Sequence, residues 1–234
     1  MNENQKSKIR NPKLLWLVRH GQSTANVLRH KAEAENLLTI DFPEREQDVP
    51  LSALGEEQSV KLGKWFLEEK EKPNVVFSSP FLRADETTRL ILENAKLEKL
   101  EIIYDERLRE RELGIFDRLT RRGVAEKFPA EFAARQKIGK FYFRPSNGES
   151  WADVALRIRS FWNEIKTDFA GEKILVVSHE AVLHLFRYIV ESMTEEAILK
   201  IDSAADIANC SITSYGLAPD AQKLILLKEN FCIV

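Results

Sequence analysis

The feature that most constrains this chain is an apolar run at residues 14–18, Leu-Leu-Trp-Leu-Val, that stops abruptly at Arg19-His20-Gly21 and then Gln22, Ser23, Thr24 and Asn26. The run shows no polar alternation, so it suits a strand covered on both faces, as in a parallel sheet flanked by helices. Arg19 and His20 then sit where the strand leaves the core. Gly21 lets the backbone come close to a ligand, and Ser23, Thr24 and Asn26 offer neutral hydrogen bonds. A phosphate suits that company. The segment alone is equally compatible with polar residues at a strand end followed by a helix cap.

Two later stretches repeat the arrangement. Val75-Val76-Phe77-Ser78-Ser79-Pro80 breaks from apolar to polar, with Ser79 expected as an N-cap, Pro80 at the first helical position and Arg83 in the first turn. Ile174-Leu175-Val176-Val177-Ser178-His179 ends in a histidine, and a helical pattern follows from Glu180. Ligands of open α/β sheets bind beyond the carboxyl ends of parallel strands, so these distant groups can converge.

Taken together, Arg19-His20-Gly21-Gln22-Ser23, Ser78-Ser79-Pro80 with Arg83 and Glu86-Thr87, Glu110 four residues before Gly114, and Ser178-His179 resemble the motif set of the histidine phosphatase superfamily, in the branch containing cofactor-dependent phosphoglycerate mutases. The resemblance spans residues 14–227. One departure is Glu180, where many relatives carry glycine; His179-Glu180-Ala181-Val182 is closer to the His-Gln-Ala-Val of fructose-bisphosphatase-type members, and a carboxylate there could exclude some anions. The implied fold is a three-layer α/β/α sandwich with a mostly parallel central sheet and a helical cap insertion.

A chain of 234 residues, 44% hydrophobic, accommodates one sizeable α/β domain, so residues 1–234 are read as a single domain. The net charge of −2 gives no overall field for nucleic acid, which leaves a small anionic molecule as the expected partner. Cys210 and Cys232 have neither metal-ligand nor disulfide spacing and are read as buried or inert thiols in a reducing compartment. Residues 1–12 are polar and read as a flexible tail of a cytoplasmic protein. No apolar run reaches the roughly 20 residues of a membrane helix. The oligomeric state is not encoded in any pattern recognised here.

In chain order, residues 23–35 read as helix and 36–50 as loop. Residues 51–70 form a second helix with Leu54, Leu62, Trp65 and Phe66 as its core face. A helix is expected over 80–95, a strand over 100–104, and a charged stretch over 105–116 that by composition alone is a solvated loop. Residues 120–147 interleave aromatic side chains with Arg121, Arg122, Arg135, Lys140 and Arg144. Such a mixture can bind single-stranded nucleic acid, but the stretch is short and contains Glu126 and Glu131, so a helical lid over a small substrate is the preferred reading. The helix expected over 150–169 places Trp151, Val154, Ile158, Phe161, Trp162 and Ile165 at core spacing. Residues 208–217 and 223–227 are expected as closing strands around a turn at Pro219-Asp220.

Phosphoryl transfer needs a nucleophile, stabilisation of the nonbridging oxygens and a proton for the leaving oxygen. By the resemblance, His20 is the nucleophile that forms a phosphohistidine, and Glu110, rather than its neighbour Glu112, is the general acid. Arg19, Arg83 and His179 bind the oxygens, Asn26 adds a neutral donor, and Ser23, Gly21 and Glu180 border the substrate. No metal and no other cofactor is required. His30 is expected at the surface and His184 in packing or at the surface, neither in chemistry. The resulting expectation is a metal-independent phosphomonoesterase; the alternatives are a mutase using the same pocket and a catalytically silent binding protein.

Overall fold

The computed structural model describes residues 11–219 and 223–233. The expected tail at residues 1–10 and Asp220 of the expected turn lie outside the described residues. Of the remaining tail, Pro12 is buried and the Asn11 carbonyl accepts from Gly171 N at 2.9 Å, so residues 11 and 12 are held against the fold and are not a flexible tail.

Six strands, β1 (Leu14–Arg19), β2 (Val75–Ser78), β3 (Ile102–Tyr104), β4 (Lys173–Ser178), β5 (Ile212–Leu217) and β6 (Leu224–Phe231), form one sheet in the order β3-β2-β4-β1-β5-β6. The first four run parallel; β5 is antiparallel to both β1 and β6. The sandwich follows from alternation within β1. Leu15 and Leu17 face Trp151, Val154, Ile158, Phe161 and Ile165 of one helix (Trp151–Asp168) and Leu183 and Phe186 of another (Glu180–Val190). Trp16 and Val18 face the opposite layer, where Leu62 and Phe66 (helix Ala53–Glu68) join Ala84, Ile91 and Leu92 (helix Leu82–Asn94). Fully burying each such side chain is worth about 1.5–3 kcal/mol, which is why a chain of this composition commits to two covered faces.

In chain order the helices are α1 (Thr24–Ala34), α2 (Ala53–Glu68), α3 (Leu82–Asn94), α4 (Arg121–Lys127), α5 (Pro129–Ile138), α6 (Trp151–Asp168), α7 (Glu180–Val190) and α8 (Glu195–Ala204). Several boundaries differ from the sequence reading. Leu54 is exposed, because α2 meets its neighbours through Gly55, Ser59, Leu62, Gly63 and Phe66. β5 starts only at Ile212, since the chain turns through a left-handed Cys210 (φ 54°). Cys210 is buried as expected, but Cys232 is exposed.

Residues 120–147 carry α4 and α5 and are tied down at both ends. Thr120 Oγ1 donates to the Leu37 carbonyl at 2.7 Å, while Lys140 pairs with Asp202 and the Tyr142 hydroxyl donates to Glu195, both on α8. Phe116, Phe128, Phe132 and Phe143 pack beneath the two helices. Just before them, Arg118 donates to the carbonyls of Phe42 and Glu44, each at 2.6 Å, and so clasps the 36–50 loop.

Candidate active site

The strand register explains why distant motifs meet. Arg19 of β1 pairs with Ser178 of β4, and Ser78 of β2 pairs with Val177, so three strands end level with one another. The next residues stay in step: His20 N donates to the Ser178 carbonyl at 2.9 Å and Ser79 N to that of Val177 at 3.0 Å. The rings of His20 and His179 consequently lie with centroids 5.0 Å apart.

His20 is 3% exposed, with Nδ1 2.7 Å from the Gly21 carbonyl. A carbonyl can only accept, so this contact fixes the proton on Nδ1 and leaves a lone pair on Nε2. Arg83 Nε lies 3.3 Å from that Nε2. Burial, reinforced by Arg83 and Arg19, holds the His20 pKa well below its ordinary 6.5, so the ring is neutral. His179 is held low as well, by burial first and then by Arg83. Its Nε2 lies 2.8 Å from Ser79 Oγ and its Nδ1 is buried without a partner among the described residues. His179 is therefore a neutral hydrogen-bonding group here.

Ser79 is free for that contact because it is not the N-cap of α3. Phe81 occupies the cap and Leu82 begins the helix, which places Arg83 in its first turn as expected.

Both arginines arrive paired. Arg83 is 4% exposed, with Nη1 donating to the Glu46 carbonyl at 2.7 Å and Nη2 to Glu46 Oε1 at 2.8 Å. Burial pushes the two partners toward their neutral forms, Glu46 upward and Arg83 downward, with the mutual attraction opposing each shift. Arg19 faces Glu180 Oε2 at 3.1 Å, and its Nη1 donates to the Ile207 carbonyl. Burial raises the Glu180 pKa, with Arg19 pulling it back. Glu180 therefore stands against a phosphate-binding candidate, and Ile207 N donates to its Oε1 at 3.2 Å.

Glu110 is half-buried and within electrostatic reach of Arg83, Glu46 and Glu180. Glu112 is exposed. The segment bearing Glu110 is not a solvated loop, since Leu108 is fully buried and its carbonyl accepts from Ser178 Oγ at 2.7 Å. Glu149 braces it by pairing with Arg109 and Arg157, each at 2.9 Å, while Arg157 Nη2 reaches the Glu110 carbonyl at 3.3 Å.

Other expected residues serve the scaffold. Ser23 and Asn26 form a reciprocal capping box on α1, and Asn209 Nδ2 contacts Asn26 Oδ1 at 3.4 Å. A Cβ on Gly21 would lie 2.5 Å from the Gly55 carbonyl oxygen, so the missing side chain is what admits α2. Glu86 and Thr87 accept from the backbone amides of Leu51 (2.8 Å) and Gly21 (2.9 Å). His30 is exposed; His184 is buried against Trp151. A cleft of about 580 Å³ beside the cap is lined by Arg121, Arg122 and Phe132 and does not include the histidine pair. Among the described residues no group of three or more His, Cys, Asp or Glu could hold a metal ion, and no helix is long and apolar enough to cross a membrane.

Glu46, Glu149, Arg157 and Asn209 were not singled out from the sequence, and Ser79 was read as a helix cap, not as a partner of His179. Glu149 was visible only as the residue before a helix cap, and Glu46 lay in a stretch with no periodicity. Asn209, whose Nδ2 donates to the His20 carbonyl at 2.9 Å, fell within an expected strand.

A family model for the histidine phosphatase superfamily (branch 1) matches residues 15–230. The chain is 30% identical over 198 residues to a 2,3-bisphosphoglycerate-dependent phosphoglycerate mutase of Rhizobium meliloti, covering 82% of this chain and 86% of that protein. In fold it is similar to the alpha-ribazole phosphatase of Shigella flexneri (TM-score 0.73, 23% identity, 94% of this chain and 98% of that one). It is likewise similar to a mycobacterial glucosyl-3-phosphoglycerate phosphatase (TM-score 0.69, 23% identity, 94% and 99%).

Proposed function

Because the chain belongs to branch 1 of the histidine phosphatase superfamily, we propose that it is a phosphomonoesterase that works through a phosphohistidine on His20. The observation that carries this reading is the Nδ1 contact to the Gly21 carbonyl, which leaves His20 neutral with its lone pair on Nε2, where Arg83 Nε donates to it at 3.3 Å until a phosphoryl group takes that place. In the first step Nε2 attacks phosphorus, the ester bond breaks, and Glu110 gives its proton to the leaving oxygen. In the second, Glu110 takes a proton from water, the resulting hydroxide attacks phosphorus, and His20 is regenerated with release of phosphate. Arg83, Arg19 and His179 donate to the nonbridging oxygens, the arginines exchanging for them the contacts they make here with His20, Glu46, Glu180 and Ile207. Rapid-quench trapping of an acid-labile phosphoenzyme that is absent from His20→Ala tests the reading; a phosphoenzyme retained by that variant would overturn it.

A mutase is the second reading, favoured by the Rhizobium meliloti relative. Hydrolysis is preferred because the cap lacks the arginine-arginine-serine-tyrosine-aspartate and proline-rich run typical of mutases, of which Arg121-Arg122 is only a fragment. Turnover of phosphoglycerate with bisphosphoglycerate present, compared with phosphate release, separates the two.

A further inference from the structure

Each arginine assigned to the phosphoryl oxygens is already faced by a carboxylate, Arg83 by Glu46 at 2.8 Å and Arg19 by Glu180 at 3.1 Å. Both carboxylates are partly exposed, and Glu110 acts on both. Asp117 adds negative charge near Glu46, and Asp206 does so near Glu180; Arg29 is a weaker positive influence on Glu46. With both histidines neutral, the charges of Arg19, Arg83, Glu46 and Glu180 cancel, and Glu110 stands where a leaving oxygen must receive its proton. A phosphoryl group can still be held by directional donors. A second anion a few bonds beyond the ester oxygen meets an acidic rim.

The cap cations do not cancel that rim. Arg111 feels Glu110, but its strongest charged neighbour is Arg135 of α5, which in turn responds most to Arg121. Arg111, Arg135 and Arg121 thus form a succession of charges leading from Glu110 to α5 and α4, so the restriction applies to substrates too short to reach it.

We propose that Glu46 and Glu180 restrict the site to phosphomonoesters of alcohols that are neutral or cationic near the ester oxygen, such as polyols and amino alcohols. Short phosphorylated acids and vicinal bisphosphates are rejected by like-charge repulsion, a specificity obtained by penalising the wrong ligand. Glu46 Oε2, which makes no hydrogen bond to a described residue, is placed to accept from a substrate hydroxyl or ammonium. This inference rests on the phosphomonoesterase reading above.

A matched pair tests it: glycerol 3-phosphate and 3-phosphoglycerate share a skeleton and differ in a hydroxymethyl against a carboxylate. The wild type should prefer the glycerol ester by about tenfold or more in kcat/KM, and Glu46→Gln with Glu180→Gln should shrink the ratio to within about threefold. The ratio does not depend on the fraction of each variant that folds, and the single variants provide intermediate values if the double variant is too unstable. If only p-nitrophenyl phosphate is turned over, the pair is compared as competitive inhibitors of that reaction. A wild-type ratio below tenfold, or one unchanged in the variants, overturns the proposal. No hydrolysis of any of the three esters overturns the phosphomonoesterase reading itself.

Discussion

Arg83 Nε lies 3.3 Å from His20 Nε2, so the nitrogen assigned the attack faces a guanidinium whose remaining nitrogens are held by Glu46. Burial keeps the imidazole neutral, Arg83 adds to that effect, and on the proposed mechanism the same arginine meets the phosphoryl group. Arg83→Lys retains the charge but loses the planar fork, so phosphoenzyme formation should slow by about 10²-fold or more, comparable to removing one transition-state donor. Single-turnover quench is the measurement, and a rate within threefold of wild type would show that the fork is not used.

Glu110 separates substrates by leaving group. An alkoxide needs its proton in the transition state, where a general acid contributes about 10² to 10⁴-fold, whereas nitrophenolate leaves without one. Glu110→Gln should therefore slow phosphorylation of His20 by an alkyl ester far more than by p-nitrophenyl phosphate. Single-turnover rates avoid the shared hydrolysis step; equal slowing with both esters would remove Glu110 from the role. The exposed Glu112 serves as the control.

Metal chelation should leave activity intact, because on the proposed mechanism Arg19 and Arg83 supply the donors that a metal ion supplies in metal-dependent phosphatases. Vanadate should inhibit by occupying the same donors. Loss of activity in EDTA, restored by a divalent ion, is the contrary outcome.

His184 gives stability a pH dependence that has nothing to do with catalysis. Its ring stacks on Trp151 with centroids 5.9 Å apart, and neither nitrogen has a hydrogen-bond partner among the described residues. Burial holds its pKa at about 4, against the pull of Asp202 and with Lys140, Arg187 and Arg19 adding to the depression. Between an unfolded value of 6.5 and that folded value, the unfolded chain binds a proton that the folded chain does not. Stability is therefore lost as pH falls through this window, by about 2 kcal/mol between pH 7 and pH 5 for this residue. Urea unfolding at the two pH values should show His184→Phe losing less than wild type by about that amount. Equal losses would refute the assignment.

Much of this architecture was legible because it depends on local pattern. The unbroken runs in β1, β2 and β4 announced a buried parallel sheet, and the residues just beyond them announced where chemistry could gather. What stayed hidden was set by distant partners. Gly21 looked like a ligand cradle, yet its lack of a side chain accommodates Gly55, 34 positions later in sequence. Glu46 carried no signal, since its meaning comes from a guanidinium on α3, and the charged stretch around Glu110 looked solvated because Glu149 and Arg157 brace it from another element. Ser79 obeyed the composition of a helix cap but lies two residues before the cap at Phe81, where it meets His179 instead.

The reversal of β5 has a consequence for the order in which the chain is made. Arg19 and His20 leave the ribosome early, but the Ile207 carbonyl that takes Arg19 and the Asn209 amide that takes the His20 carbonyl come from the segment leading into β5. A nascent chain that has completed the parallel strands thus has His20 in place while one wall around it is still untranslated. Activity should wait for the synthesis of residues 207–209, and a chain interrupted before residue 207 would be released without a finished site.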